Sequence, residues 1–216
     1  MVIFPEVAKT AQEELDRVCG ERMPDLNDAI NLPYVRACVK ESLRWMPGFM
    51  LGIPHSLTKD DTYMHYHIPR GSTRHPNPRS FDPMRYMEDH PTDIGVANNG
   101  NKRDHFAFGA GRRRCQGIHI ADRSMFLAIS RMLWAFDIHR AVDPESKREI
   151  VPDMSELVSG MMAFPKAFPT KIRPRHASRA DSVRREWEQM LALLDDQGQW
   201  KEVPKGLVWG DEQLFD

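Results

Sequence analysis

The stretch Phe108-Gly109-Ala110-Gly111-Arg112-Arg113-Arg114-Cys115-Gln116-Gly117 sets one cysteine among three arginines, behind a glycine-bearing loop. An apolar-periodic run begins directly after it, at Ile118. A thiol beside cations or a helix start ionises more readily than free cysteine, and the ionised form is the metal ligand. Backbone N–H groups at a helix start point at whatever anion sits there. The chemistry these residue types point to is that of a thiolate ligand. Three other readings stay open on the loop alone. Free cysteine often serves as a small buried hydrophobe. Glycines with arginines suit an anion nest or a solvated basic loop. Cys115 and His119, four residues apart, offer half of a zinc site, although no second such pair accompanies them.

A second pair with chemical content is Glu41 and Arg44 in Glu41-Ser42-Leu43-Arg44. Three residues apart on a helix, they lie nearly opposite an apolar stripe of Val35, Cys38, Val39, Leu43 and Met46. Spacing alone reads them as a solvent-facing ion pair contributing about 0.2–0.5 kcal/mol.

The elements that must position these groups follow from the punctuation. Pro5 opens a first helix whose stripe is Val7, Ala11, Leu15 and Val18, and Gly20 closes it. A short polar turn or helix spans Asp25 to Asn31. Asn31 is then expected to cap a second helix, with Pro33 in its first turn, running to about Trp45. Pro47, Gly48 and Gly52-Ile53-Pro54-His55 exclude helix, and Met50 to Leu57 reads as a strand. A hairpin-like pair follows, Thr62–Tyr66 with His67–Ile68. The run after Cys115 predicts a helix with Ile120, Ala121, Leu127, Ala128, Leu133 and Phe136 as apolar positions. Met154–Met162 reads as a strand turn and Phe164–Ile172 as the last strands. Beyond Pro174 a separate amphipathic helix is expected, with Val183, Trp187, Met190 or Leu191, and Leu194 inward and Arg184, Arg185 and Glu188 wet.

Composition bounds the rest. The chain has 216 residues, 41% of them hydrophobic and 9% aromatic, enough for a sizeable core. A net charge of −1 leaves nothing global to favour nucleic acid. Three cysteines, with Cys19 and Cys38 on expected helices as core fillers, fit a reducing intracellular setting better than a disulfide framework. The first residues show neither a basic n-region nor a long apolar run, and no segment approaches the roughly 20 apolar residues that span a bilayer, so neither signal peptide nor membrane span is expected.

The residues Phe108, Gly111, Arg113, Cys115 and Gly117 match Phe-x-x-Gly-x-Arg-x-Cys-x-Gly, which resembles the haem-binding signature of the cytochrome P-450 family. Glu41 and Arg44 resemble the same family's Glu-x-x-Arg pair. The segment Phe81-Asp82-Pro83-Met84-Arg85-Tyr86 resembles its Pro-Glu-Arg-Phe loop, with Met84 and Tyr86 as departures. The resemblance implies a mainly α fold with small β-sheets (α+β), the C-terminal part of the cytochrome P-450 fold. It implies haem as cofactor, with Cys115 as proximal iron ligand. Arg113 and His55 would meet the propionates, Phe108 would pack beside the sulfur, and Gly111 and Gly117 would let the loop approach the porphyrin. An exposed strand-end histidine is the alternative for His55. Glu41, Arg44 and Arg85 would form a buried structural triad. The implied activity is oxidation of a small lipophilic substrate with O2 and electrons from a reductase.

Residues 1–175 are then a partial haem domain, its proximal half, and 176–216 a C-terminal amphipathic-helix tail. The family's distal Ala/Gly-Gly-x-Asp/Glu-Thr segment and its eukaryotic members' endoplasmic-reticulum anchor have no counterpart. Asp61-Thr62 lacks the glycines and sits in a turn. Thr73 runs into Arg74 where the family carries a further strand and helical turn. The alternative expectation is therefore a catalytically inactive remnant that keeps the signature without the oxygen-activating helix.

Overall fold

A computed structural model describes residues 1–46, 61–63, 66–68, 80–87, 107–108, 115–158 and 164–202. Helix α1 (Pro5–Cys19) begins on proline, whose missing donor would have had no intrahelical partner. Its buried face is Val7, Ala8, Ala11, Leu15 and Cys19, a spacing of three to four residues. It ends because Gly20 takes φ +56°, a left-handed angle that costs a side-chain-bearing residue energy. A 3-10 turn over Leu26–Asn31 is capped by Asp25, and Asp28 returns the favour by accepting from the Asp25 N–H at 2.8 Å.

Helix α2 (Pro33–Trp45) departs from expectation at its start. Asn31 belongs to the 3-10 turn, and the residue at the cap is Leu32, whose side chain is wholly buried in the core. Apolar burial decided where the chain turned, and the cap came from elsewhere. Glu14 of α1 accepts the Tyr34 and Val35 N–H groups at 3.1 and 3.0 Å.

Helix α3 (Ile118–Ala135) begins where the sequence placed it, but its buried face is Ile118, Phe126, Ser130, Leu133, Trp134 and Ala135. Ile120, expected inward, is 73% exposed. Phe136, expected to continue the helix, opens strand β3 (Phe136–Arg140) instead, because that segment pairs with β6 (Thr170–Pro174). Phe136 lies opposite Pro174 and Arg140 opposite Thr170, antiparallel. Two shorter antiparallel pairs complete the sheets. One is β1 (Asp61–Tyr63) with β2 (Tyr66–Ile68), reversing between Tyr63 and Tyr66; the other is β4 (Leu157–Val158) with β5 (Phe164–Pro165). The last strands are thus two separate pieces, interrupted between Pro165 and Thr170, and the second runs on to Pro174. The expected strand over 50–57 and the junction at Thr73 and Arg74 lie outside the described residues.

One core joins α1, α2 and α3, with Leu15, Leu32, Val35, Cys38, Val39, Leu133 and Trp134 among its members. Helix α4 (Ala177–Ala192) attaches differently from what its pattern suggested. Trp187 is 57% exposed and Leu191 also faces outward, whereas Arg179 is the helix's buried residue. Arg179 donates to the Trp134 and Gly20 carbonyls at 2.9 and 3.1 Å and lies 5.0 Å over the Trp134 ring. The carbonyls at the ends of α1 and α3 need donors, and a long arginine reaching down from α4 supplies them. The architecture is helical with small antiparallel sheets, the class the sequence implied.

Candidate functional site

Cys115 stands two residues ahead of Gly117, which occupies the cap position of α3 without any side-chain cap. The helix is thereby left with its partial positive end toward the cysteine, an arrangement that favours a negative group there. The Cys115 N–H donates to the Phe108 carbonyl at 2.9 Å, which ties these two residues together through the backbone. The side chain is exposed and unbridged. A Cβ added at Gly117 would rest 3.8 Å from the Cys115 sulfur, so glycine leaves that flank of the thiol open. Among the described residues no group of three or more His, Cys, Asp or Glu could hold a metal ion, and Cys115 with His119 gains no further zinc partner. A lone sulfur donor on an open flank at a helix start fits a metal whose other ligands come from a macrocycle. Gly111, Arg113 and His55 lie outside the described residues.

The other two cysteines are chemically unlike it. Burial, with the nearby Asp28 carboxylate, pushes the Cys19 thiol up to about 11. Burial, with Glu14, pushes Cys38 up to about 12. Both are core fillers, as their helix positions suggested.

Glu41 and Arg44 do not face solvent as spacing alone would have it. The Glu41 side chain is 0% exposed, and Arg44 grips it with Nε to Oε2 at 2.6 Å and a second bond at 2.8 Å. Glu41 Oε1 also accepts the Asp82 N–H at 2.7 Å, and Arg85 brings its charge to 3.6 Å. Arg44 further donates to the Ser80 carbonyl at 2.8 Å. One carboxylate thus fastens the end of α2 to the 3-10 turn over Pro83–Tyr86. Its hydrogen bonds to Glu41 hold the Arg44 guanidinium still more firmly protonated than usual. The two departures in that turn are tolerated for visible reasons: Met84 points into solvent, and Tyr86 fills a buried position with a ring of nearly the usual shape. Three rings close the seam, Phe4 stacked on Phe81 at 5.3 Å and Trp45 edge-on to both at 5.4 and 5.7 Å. No local pattern announced Phe4 in this cluster.

No helix among the described residues is long and apolar enough to cross a membrane. A family model described as Cytochrome P-450 matches residues 1–159. The chain is 55% identical over 224 residues to the cytochrome P-450 monooxygenase fogE of Aspergillus ruber, covering 98% of this chain and 42% of that protein. It is 54% identical over 231 residues to the monooxygenase virE of Hypocrea virens, covering 100% of this chain and 42% of that one. The second alignment is longer than the 216 residues of the chain, so gaps fall on this chain's side. Among solved structures, a zebra fish cytochrome P-450 with abiraterone superposes with a TM-score of 0.58 at 25% identity, covering 80% of this chain and 40% of that one. The chain therefore spans about two fifths of the length of these relatives, and the aligned part includes the region of α4. On the family model and on this identity, the chain belongs to the cytochrome P-450 family.

Proposed function

We propose that this chain forms the proximal, thiolate-bearing side of a haem monooxygenase. When bound, the haem supplies O2 activation and the oxidation of a small lipophilic substrate, with electrons from a reductase. Cys115 would supply the thiolate ligand to the iron. Phe108, tied to it at 2.9 Å through the backbone, fixes the direction of the loop. Arg113 and His55 would hold the haem propionates by charge-assisted hydrogen bonds, and Gly111 and Gly117 would leave room for the porphyrin. Glu41, Arg44 and Arg85 take no part in proton transfer; they brace the proximal side. All three cysteines are free, which supports an intracellular setting. A second reading is favoured by the gaps on this chain's side of the alignment: a form that holds haem without completing turnover.

The observation that carries the proposal is the contrast among cysteines. Of the three, Cys115 alone is exposed, and it stands at an uncapped helix start inside the family's matched region. Haem-reconstituted chain, reduced under carbon monoxide, should give the thiolate-type Soret band. Cys115→Ser should abolish that band, and Cys38→Ser should keep it. A thiolate-type band that survives Cys115→Ser would sink the assignment. Substrate oxidation with a supplied reductase then separates the enzyme from the haem-holding form without turnover.

A further inference from the structure

We infer that Glu14 of α1 is a positioning residue for the proximal side, acting along α2 on the Glu41 cluster; this rests on the haem-thiolate reading above. The first turn of any helix leaves four N–H groups without intrahelical partners. In α2 every one has an explanation. Pro33 has none to offer, and the N–H of Leu32 at the cap reaches the Ala29 carbonyl at 3.4 Å. The remaining two, on Tyr34 and Val35, go one each to the two oxygens of Glu14, at 3.1 and 3.0 Å. Leu32 at the cap has no side-chain group to take them.

Two successive N–H groups on a helix sit about 100° apart around its axis while both point along it. A carboxylate that accepts both fixes the axial position and the rotation of α2 together, where a water or a single-oxygen cap would fix neither. Six to ten residues further on, about 9–15 Å along the axis, α2 carries Glu41 and Arg44. Glu41 there meets the Asp82 N–H at 2.7 Å and Arg85 at 3.6 Å, contacts that a small slide or turn of the helix would lengthen. The helix is thus held at both ends by carboxylates. The one at its start comes from a different helix, joined through the core that α1 and α2 share.

The full chain is compared as wild type, Glu14→Ala, Glu14→Gln and Glu13→Ala, the last an exposed neighbour paired only with Lys9 at 3.9 Å. In apo-protein, Glu14→Ala should speed amide exchange at Tyr34 and Val35 by about tenfold. Exchange at Asp82, whose N–H the Glu41 carboxylate of α2 accepts, should rise by about threefold or more. In haem-loaded protein, part of the reduced carbon monoxide complex should move from the thiolate-type band to the non-thiolate type. Glu14→Gln, which keeps one acceptor oxygen, should fall between wild type and Glu14→Ala in each measurement, and Glu13→Ala should match wild type. Faster exchange confined to Tyr34 and Val35, with Asp82 unchanged, makes Glu14 a local cap and overturns the inference. So does an unchanged carbon monoxide spectrum. If Glu14→Ala fails to fold, the Glu14→Gln comparison decides on the same criteria. If wild-type chain shows no thiolate-type band at all, the haem reading has failed instead, and exchange at Asp82 alone decides the reach of Glu14.

Discussion

Two carboxylates in this molecule each take two arginines, and they do it in opposite ways. Glu41 is 0% exposed, and its cations, Arg44 and Arg85, lie around it nearer the surface. Asp16 is 41% exposed, while its cations, Arg175 and Arg179, are the buried partners at 2.6 and 3.0 Å. The difference lies in what is left when the anion goes. Losing Glu41 takes the carboxylate from two guanidiniums and the acceptor from the Asp82 N–H, whereas Arg179 keeps the Trp134 and Gly20 carbonyls and Arg175 keeps a bond to Trp134. An anion at the centre of a cluster is indispensable; one at its rim is an accessory.

The comparison is strained hardest by Glu41→Ala. It should cost roughly 3–5 kcal/mol, because buried cations lose their counter-charge, read as a fall in the urea midpoint with unchanged slope. A loss below about 1 kcal/mol, the value typical of a surface pair, would erase the distinction. Next comes Arg179→Ala, which strips donors from two carbonyls and a cation from the face of Trp134. About 2–3 kcal/mol should follow, with α4 freed, so that limited proteolysis near residue 176 precedes global unfolding.

Asp16→Asn should be the mildest, at most about 1 kcal/mol and weakened by salt. Its pH dependence sharpens the contrast. Burial by itself would raise the Asp16 carboxyl, but the hydrogen bonds and charges of Arg175 and Arg179 outweigh it and hold the group below its ordinary 3.8. A depressed folded value means the contribution is complete above the ordinary range and vanishes as pH falls through the folded one. The stability gap between wild type and Asp16→Asn should therefore be constant at neutral pH and close in acid below about pH 4. A gap that widens on acidification would reverse the sign and refute the assignment.

Much of this was legible from residue types, and the parts that were not share one cause. Pro5, Gly20 and Pro33 are local signals, and the helix bounds they mark agree with the structure to within a residue or two. Local signals failed where a distant partner decided. Phe136 continues a helical pattern in sequence but pairs with Pro174 in space. Asn31 is a good cap by type, yet Leu32 was needed in the core and the capping oxygens arrived from Glu14. The inward stripe assigned to α4 was misplaced because the docking group is an arginine, a residue that periodicity counts as wet. The Glu-x-x-Arg pair is the instructive middle case. Spacing alone gave an exposed contact, and only the turn carrying Asp82 and Arg85, some forty positions away, makes it buried.

The carbonyl of Gly20 receives both the Trp134 indole N–H at 2.8 Å and an Arg179 nitrogen at 3.1 Å. An acceptor that belongs to the main chain survives every amino-acid replacement at its own position, so mutational drift can erode this junction only from the donor side. The indole donor comes from α3 and not from the last helix. Variation should accordingly be paid out first in the segment that brings Arg179, leaving the seat itself intact for a different helix to occupy.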